Sequence, residues 1–398
     1  MSGDAIAASA RHEVGVYARN PVTFVQGRGC ELWDTNGRRY LDFFAGLAVN
    51  NLGHCHPAVV EAVQAQAATL MHVSNLYYTE PTATLVRLLC EHSFADRVFL
   101  CNSGAEANEA AIKLARRWGA EHGGGRYEIL ATHGSFHGRT LATLSATGQE
   151  KYHQGFQPLL PGVRQVPFAD VTALAEAVRD ETVAILLEPI QGEGGVVVPD
   201  PAYLPAVRRL ADQRGLLLIL DEVQCGLGRT GRLFAHEHSD VTPDVMTLAK
   251  ALGGGIPIGA MCATERVAAA FSPGSHGSTF GGNPVACAAA IATLTRLADP
   301  DLLAHVREVG AHLRERLEEL AARRGVITRV RGLGLMLGAV LDRPGAGIAR
   351  RALERGLLIN CTADTVLRFL PPLVVDRVQI DEGIAILDAV LAEEGPGR

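Results

Sequence analysis

The sequence predicts an α/β fold in which a large domain with a mainly parallel sheet is joined to a smaller α+β domain. Short apolar runs alternate with helix-like stretches through the central part of the chain. These runs are mostly apolar without regular alternation, which is typical of strands that helices cover on both faces of a parallel sheet. A long charged amphipathic helix after residue 299, followed by short strand-like pieces, predicts the smaller domain.

The elements of the large domain follow one another as alternating strands and helices. The predicted strands are residues 97–101, 127–132, 183–187, 216–220, 245–248 and 256–263. The predicted helices between them include residues 105–118 and 201–214. The strand-like pieces of the small domain lie at residues 329–341 and 365–375. Because open α/β sheets bind ligands beyond the carboxyl ends of their strands, we expect the functional site there.

The composition argues against several classes of function. The chain has 398 residues, of which 47% are hydrophobic and 20% charged, and its formal net charge is −6. That balance is typical of a globular protein and argues against nucleic acid or an anionic membrane as a partner. We find no signal-peptide pattern and no run of about 18 apolar residues, so we expect no membrane span. The eight cysteines form no CxxC pair, which favours reduced thiols and a cytoplasmic location.

Asp221 and Lys250 each follow a predicted strand. A buried carboxylate such as Asp221 needs a cation or a protonated donor beside it. Two interpretations stay open, a structural salt bridge or a partner for the protonated pyridine nitrogen of pyridoxal 5′-phosphate (PLP). Burial would lower the pKa of Lys250 and make its amine a nucleophile toward an aldehyde. The other two lysines, Lys113 in a helix and Lys151 in a polar stretch, fit a surface position better.

The turn that contains Ser103, Gly104 and Ala105 joins a predicted strand to a predicted helix. Its free N–H groups and the helix dipole favour an anion such as phosphate. Ser103 is also a helix N-cap with Glu106 three residues later, so a capping box without a ligand is the alternative.

Phe136 and Arg139, which follow the strand at 127–132, are further candidate site residues. Phe136 can offer a flat face to a cofactor ring, although a phenylalanine is more often part of the core. Arg139 can bind a carboxylate through two parallel hydrogen bonds, although an arginine is more often on the surface.

Together these motifs resemble the class III aminotransferases, from about Tyr17 to the C-terminus. The matching segments are GHCHP (53–57), NSGAEANEAAIKLAR (102–116), FHGRT (136–140), EPIQGEGGV (188–196), LDEVQCGLGRTG (220–231), LAKALGGG (248–255), HGSTFGGNP (276–284) and LRFLPPLVV (367–375). The resemblance implies the type I fold of PLP-dependent transferases. It divides the chain into residues 1–55, which join the small domain, residues 56–298, the large PLP-binding domain, and residues 299–398, the C-terminal small domain.

The resemblance also implies a role for each matching position. Lys250 would hold PLP covalently and later move a proton, and Asp221 would pair with the pyridine nitrogen. The cofactor-binding positions are Ser103, Gly104, Ala105, Phe136, Asp221, Val223, Gln224, Lys250 and, from the neighbouring subunit of a homodimer, Thr279. The substrate-binding positions are Arg139, Glu193, Ser278 and Arg368. His54 and His56 belong to the structural GHCHP turn, and we expect no metal because further zinc ligands are absent.

Within this family, the chain looks most like the acetylornithine aminotransferases. The stretch TLMHVSNLYYTEP (69–81) is similar to theirs, and Leu47 stands where ornithine aminotransferases carry a bulky aromatic. A smaller side chain there leaves room for an acyl group. The implied substrates are N2-acetyl-L-ornithine as amino donor and 2-oxoglutarate as acceptor, in arginine biosynthesis. The alternatives are ornithine, succinylornithine or 4-aminobutyrate as donor, or a non-catalytic PLP-binding scaffold.

Two arginines would let one site accept both amino compounds. Arg139 resembles the arginine that holds the distal carboxylate, and Arg368 the one that takes the α-carboxylate of glutamate. Glu193 resembles the acid that neutralises Arg368 when acetylornithine binds, and the flanking Gly192 and Gly194 suggest local movement. A static salt bridge between Glu193 and Arg368 is the alternative.

Overall fold

Three β-sheets organise the part of the chain that the computed structural model describes, which is residues 2–394, with side chains from residue 5. The strands are β1 (Phe24–Arg28), β2 (Glu31–Asp34), β3 (Arg39–Asp42), β4 (Arg97–Cys101), β5 (Glu128–Thr132), β6 (Val163–Val166), β7 (Thr182–Leu187), β8 (Leu217–Asp221), β9 (Val245–Leu248), β10 (Gly259–Ala263), β11 (Ile327–Leu333), β12 (Met336–Leu341), β13 (Leu357–Leu358), β14 (Asn360–Thr362) and β15 (Val366–Phe369).

Helices connect most of these strands. The α-helices are Ser2–His12, Pro57–Thr69, Glu80–Glu91, Gly104–His122, Leu141–Ala146, Val171–Ala177, Tyr203–Arg214, Glu265–Ala268, Pro284–Leu297, Pro300–Arg324, Ala346–Glu354 and Arg377–Leu391. Short 3-10 helices lie at Glu150–Tyr152, Ala235–Ser239, Lys250–Gly253 and Ala392–Glu394. Within residues 2–394, none of the helices combines the length and the apolar character that crossing a membrane requires.

The central sheet has seven strands in the order β4-β10-β9-β8-β7-β5-β6. Every strand except β10 points the same way, because β10 is antiparallel to both of its neighbours, β4 and β9. The predicted strands all appear here, and β6 is one that the sequence did not indicate. An apolar run looks the same in either direction, so no pattern in the sequence indicates that β10 is reversed.

Helices bury both faces of this sheet. Along β8, Leu217 and Ile219 pack with the helix Gly104–His122 on one face. Leu218 and Leu220 pack with the helix Tyr203–Arg214 on the other. Side chains alternate between faces along a strand, so a run of consecutive leucines fills both layers.

The two smaller sheets draw on both ends of the chain. One has the order β1-β2-β3-β13, and β13 pairs in parallel with β3 through Leu357 opposite Leu41. The other is the antiparallel sheet β11-β12-β15-β14. The predicted strand-like stretch at 329–341 is therefore the hairpin of β11 and β12.

A left-handed turn, Ala45–Ala48, follows β3. All four of its residues have positive φ, including Leu47 at 71°. Residues other than glycine adopt this conformation only at a cost of about 1–2 kcal/mol each, so neighbouring groups have to hold it. Asp42 Oδ1 accepts the N–H groups of Phe44 and Ala45, each at 2.8 Å, and Asp42 Oδ2 pairs with His54 Nε2 at 2.7 Å.

Arg229 ties three parts of the chain together. Its fully buried guanidinium donates to the carbonyl oxygens of Pro371 at 2.5 Å and Leu335 at 3.1 Å, and to the side chain of Asn51. Burial lowers the pKa of Arg229 to about 9. The N-terminal segment, the loop after β8 and the C-terminal strands therefore meet at one charged group.

Candidate active site

A cavity of about 420 Å³ opens beyond the carboxyl ends of β4, β5, β7, β8 and β9. The loop before the reversed strand β10 also reaches it, because β10 begins at this edge of the sheet. The predicted site residues that line it are Ser103, Gly104, Ala105, Phe136, Arg139, Glu193, Asp221, Val223, Gln224 and Lys250. Ser278, Thr279 and Arg368, which the sequence also singled out, do not line it in this chain.

Asp221 ends β8 and is held by three donors. Its Oδ2 accepts from Asn108 Nδ2 at 2.7 Å and from His137 Nδ1 at 2.8 Å, and its Oδ1 accepts the Val223 N–H at 3.0 Å. Thr247 in turn donates to Asn108 Oδ1 at 2.7 Å, which fixes the orientation of the Asn108 amide. The carboxylate is therefore oriented rigidly with its oxygens at the cavity wall.

Lys250 begins the 3-10 helix after β9, with a φ of 41° that is unusual for a lysine. Burial lowers the pKa of Lys250; the charge of Glu193 acts to raise it, and that of Arg368 to lower it. Within the described part of the chain its amine has neither a hydrogen-bond acceptor nor an ion-pair partner. A buried amine with a lowered pKa and no partner is free to attack an aldehyde.

The turn after β4 offers unpaired N–H groups at the start of a long helix. The Ser103 side chain accepts the Glu106 N–H at 3.2 Å, as a helix cap. The Glu106 carboxylate bonds the Asn102 N–H at 2.5 Å, so the reciprocal half of the predicted capping box does not form. Over residues 2–394, no acceptor lies opposite the N–H groups of Ser103, Gly104 and Ala105. These donors can bind an anion.

Arg139 lies exposed at the cavity mouth, with its guanidinium 3.9 Å from the centre of the Tyr152 ring and 5.4 Å from that of Phe136. The two rings meet edge to face, 6.0 Å apart. No carboxylate of the described residues pairs with Arg139. The aromatic side chains therefore orient this cation and leave its donors available to a ligand.

Arg368 is fully buried behind the cavity wall and is neutralised there. Its Nη1 bonds Glu193 Oε1 at 2.6 Å and Gln224 Oε1 at 3.0 Å, and its Nε bonds Asn360 at 3.2 Å. Its Nη2 has no partner among the described residues. Burial acts to raise the pKa of Glu193, but the charge and hydrogen bond of Arg368 lower it overall. The ion pair of Glu193 and Arg368, with Arg368 Nη2 left as an unpaired donor, therefore lies beside Lys250.

Glu188, directly after β7, is a buried acid without a cation partner among the described residues. Its Oε1 accepts the Gly192 N–H and its Oε2 accepts the Phe136 N–H, each at 3.2 Å. Burial raises the pKa of Glu188 to about 7. The side chain joins the loop of Phe136 to the loop of Glu193.

Ser278 and Thr279 line a second cavity, of about 320 Å³, on the other side of the Asn102 turn. The Asn102 amide donates to Ser278 Oγ at 3.2 Å, whereas the Thr279 side chain is exposed. Asn75 Nδ2 bonds the carbonyl oxygens of Ser278 and Gly281, which joins the stretch at 69–81 to this loop.

Leu47, the predicted specificity residue, does not line the main cavity of its own chain. Val49, at the end of the left-handed turn, does. The two residues are only two positions apart, and the sequence alone did not show which side chain the turn directs inward.

The sequence did not predict a role for several residues of the site. Asn108 is a polar residue in the apolar stripe of its helix, between the buried Ala107 and Ala110, and that break in the pattern was a usable signal. His137 and Glu188 belong to the matching segments FHGRT and EPIQGEGGV, but nothing local revealed their partners.

The two histidines of the GHCHP segment differ in their contacts. His54 pairs with Asp42, whereas His56 is the N-cap of the helix Pro57–Thr69 and its ring Nδ1 has no hydrogen-bond partner among the described residues. No group of three or more His, Cys, Asp or Glu side chains in residues 2–394 is arranged to hold a metal ion.

The residues present fit PLP. The donors at Ser103–Ala105 suit a phosphate, Asp221 suits a protonated ring nitrogen, and the unpaired amine of Lys250 suits an aldehyde. A Cβ on Gly104 would lie 2.9 Å from Val223 Cγ1, so only a glycine leaves this wall of the cavity in place.

Comparison with known proteins points the same way. The sequence profile of the family described as Aminotransferase class-III matches residues 14–391. An acetylornithine aminotransferase from Methanocaldococcus jannaschii is 54% identical over 388 residues, covering 96% of each chain. The solved ornithine aminotransferase from Toxoplasma gondii has a TM-score of 0.95 at 36% identity, covering 99% of this chain and 96% of that one. The N-acetylornithine aminotransferase from Stenotrophomonas maltophilia has a TM-score of 0.85 at 40% identity, covering 98% and 99%.

Proposed function

The chain belongs to the class-III aminotransferases, and from this premise we propose that it converts N2-acetyl-L-ornithine and 2-oxoglutarate to N-acetyl-L-glutamate 5-semialdehyde and L-glutamate, in arginine biosynthesis. The predicted type I fold of PLP-dependent transferases is confirmed by the solved relatives. The observation that carries the proposal is the pair of arginines, one free at the cavity mouth and one neutralised beside Lys250.

PLP supplies an aldehyde that accepts the amino group and a ring that withdraws electrons. Lys250 would hold that aldehyde, and its amine, once released, would carry a proton to and from the substrate carbon. Asp221, oriented by Asn108 and His137, would keep the ring nitrogen protonated. The N–H groups of Ser103–Ala105 would bind the phosphate, with Phe136 and Val223 beside the ring and Gln224 near its hydroxyl.

The two amino donors place their carboxylates differently. Acetylornithine presents its terminal amine, so its only carboxylate lies far from the reacting nitrogen, where Arg139 would bind it. Glutamate presents its α-amine, so a second carboxylate lies near the cofactor and needs Arg368. Glu193 would neutralise Arg368 in the first half-reaction and release it in the second, because an unpaired buried guanidinium is costly. Ser278 would bind substrate from its loop.

The charge around Arg139 favours an acylated donor over free ornithine. Free ornithine carries an α-ammonium beside its carboxylate, and that cation would approach a guanidinium without an acidic partner among the described residues. Acetylation removes this charge. The sequence comparison supports the same choice, since relatives that are 50–54% identical over at least 94% of the chain are named acetylornithine aminotransferases.

We further propose a cytoplasmic homodimer with shared sites and the three-part division at residues 55/56 and 298/299. Exposed apolar side chains lie in the loop of Thr279 and in the stretch 69–81, which Asn75 joins to that loop. These are Met71, Leu76, Tyr77, Tyr78 and Phe280. A patch of this kind is typical of a surface that a partner covers, and twofold assemblies are the commonest. Thr279 would then reach the phosphate of the partner's cofactor.

The test is a substrate panel with 2-oxoglutarate as acceptor. Acetylornithine should give the highest kcat/KM among acetylornithine, ornithine, succinylornithine and 4-aminobutyrate. A higher value for another donor would replace the proposed substrate and keep the reaction class. No turnover with any donor would favour the non-catalytic scaffold.

A further inference from the structure

The glycines beside Glu193 are packed closely rather than loosely. A Cβ on Gly192 would lie 2.0 Å from Gln224 Oε1, and a Cβ on Gly194 would lie 2.7 Å from both Gln191 Oε1 and the Gly134 carbonyl oxygen. Gly194 faces a backbone oxygen, and a side chain at Gly192 would displace the Gln224 amide that Arg368 contacts. This close packing argues against backbone movement at the turn, which the sequence suggested.

Hydrogen bonds hold the backbone on both sides of Glu193. Before it, the Gly192 N–H donates to Glu188 Oε1 at 3.2 Å. The Gly192 carbonyl oxygen accepts the N–H groups of Gly195 and Val196, each at 3.2 Å, and closes a tight turn. The Glu193 carbonyl oxygen accepts Thr362 Oγ1 at 2.6 Å, from β14 in another sheet.

We propose that Thr362 and Glu188 are positioning residues that hold this backbone in place, so that Glu193 changes partner by rotating its side chain alone. The inference rests on the proposed function, because it concerns how Glu193 leaves Arg368 when glutamate binds. A fixed backbone returns the Glu193 carboxylate to the same place after each half-reaction, 2.6 Å from Arg368 Nη1. Thr362 lies on β14, next to β15, the strand that carries Arg368. Its bond to the Glu193 carbonyl oxygen therefore keeps the Glu193 carboxylate aligned with the Arg368 guanidinium.

Thr362 allows a test with closely matched variants. Thr362→Val keeps the shape of the side chain and removes the hydroxyl donor, whereas Thr362→Ser keeps the donor. Thr365→Val is the control, because Thr365 Oγ1 reaches only the Ala363 carbonyl oxygen, at 3.4 Å, within its own loop.

The readout is the ratio of the two half-reactions, followed separately by the absorbance of the cofactor in single turnovers. Thr362→Val should slow the acetylornithine half-reaction relative to the glutamate half-reaction by about three- to tenfold, the usual effect of one lost hydrogen bond. Thr362→Ser and Thr365→Val should keep the wild-type ratio. Equal slowing of both half-reactions in Thr362→Val would mean that Thr362 only supports the fold, and would overturn the proposal.

A second measurement does not depend on turnover. Hydrogen–deuterium exchange of the holoenzyme, followed by mass spectrometry on peptides covering residues 188–198, reports the bonds of the Gly192–Val196 turn. Exchange should be faster in Thr362→Val and unchanged in Thr362→Ser. In the wild type, it should be no faster with the unreactive dicarboxylate glutarate than without it. Faster wild-type exchange with glutarate would show that the backbone opens, which is the opposite of the proposal.

These outcomes are separate from failure of the proposed function. If acetylornithine is not the donor, the wild-type enzyme fails in the substrate panel, while the exchange results still decide whether the backbone is fixed. If Thr362→Val does not fold, the wild-type exchange with glutarate still decides.

Discussion

Lys250, Glu193 and Glu222 show how burial determines the chemistry of single residues in this protein. Each is a titratable side chain that is buried wholly or in part, and each has a different environment. Lys250 has no partner within residues 2–394, Glu193 pairs with Arg368, and Glu222 receives only backbone N–H groups. The expected behaviour of each follows from that difference.

Replacing Lys250 by Ala should abolish the covalent link to PLP and reduce amino transfer by several orders of magnitude, because no other amine of residues 2–394 lines the cavity. The wild-type protein should be yellow, and PLP should still associate with the variant through its phosphate. Absorbance spectra, together with peptide mapping after borohydride reduction, check both points. Attachment of the cofactor at Lys113 or Lys151 would contradict the assignment of the whole site.

Removing the acid in Glu193→Ala should leave Arg368 unneutralised. The acetylornithine half-reaction should then slow by roughly tenfold or more relative to the glutamate half-reaction, because a buried cation has lost its partner. Glu193→Gln is the matched control that keeps the shape of the side chain without its charge. Equal effects on both half-reactions would identify a static salt bridge instead of a switch.

Glu222 should make stability depend on pH. Burial raises its pKa from the ordinary 4.5 to about 8, although the N–H groups of Ala235 and His236 act in the opposite direction. The folded protein keeps a proton here that the unfolded chain has released, so the free energy of unfolding should fall as the pH rises from about 4.5 to about 8. The contribution of one such group is at most about 1.4 kcal/mol per pH unit.

Denaturant unfolding between about pH 6 and pH 8 measures this slope. Glu222→Gln should flatten it, and replacement of the exposed Glu61 by Gln is the control. An unchanged slope in Glu222→Gln would mean that Glu222 does not take up the proton.

At the scale of elements, the left-handed turn Ala45–Ala48 connects β3 to the cavity. Leu47 lies within it and Val49 ends it at the cavity wall. Leu47→Tyr should narrow the preference for acetylornithine over ornithine by about tenfold, because a bulkier side chain in this turn would displace Val49, which lines the cavity, into the space of the acyl group.

Steady-state kcat/KM values for both donors test this, with Leu47→Met as a control of similar volume. Thermal unfolding of each variant shows whether the turn itself has survived. If a well-folded Leu47→Tyr variant keeps the wild-type preference for acetylornithine over ornithine, Leu47 does not determine it. The next position to test is then Val49, which lines the cavity.

The sequence was informative where one element carries the whole signal. The runs that became β4, β8 and β9 are mostly apolar, and Asp221 and Lys250 are conspicuous because they are charged residues at the ends of such runs. The reversal of β10, the contact of Thr362 with Glu193 and the bond of His137 to Asp221 depend on elements far apart in the chain. No local pattern encodes which distant element a side chain will meet.

For the whole molecule, the exposed loop of Thr279 should contribute to cofactor binding only in the homodimer. Thr279→Ala should weaken PLP retention, because the partner's phosphate loses a donor, while Thr279→Ser should behave as the wild type. Dilution to the monomer should release cofactor. Analytical ultracentrifugation with activity measurements checks this, and a fully active monomer would rule out shared sites.

The pairing of β13 with β3 determines when the fold can be completed during synthesis. The ribosome delivers Leu41 long before Leu357, and at about 5–20 residues per second the wait is roughly 15 to 60 s. During that interval the sheet of the first three strands lacks its fourth strand, and the Pro371 acceptor of Arg229 is made later still. Completion of the fold is therefore an event of the last stage of synthesis, and a nascent chain interrupted before that point should yield no partial enzyme.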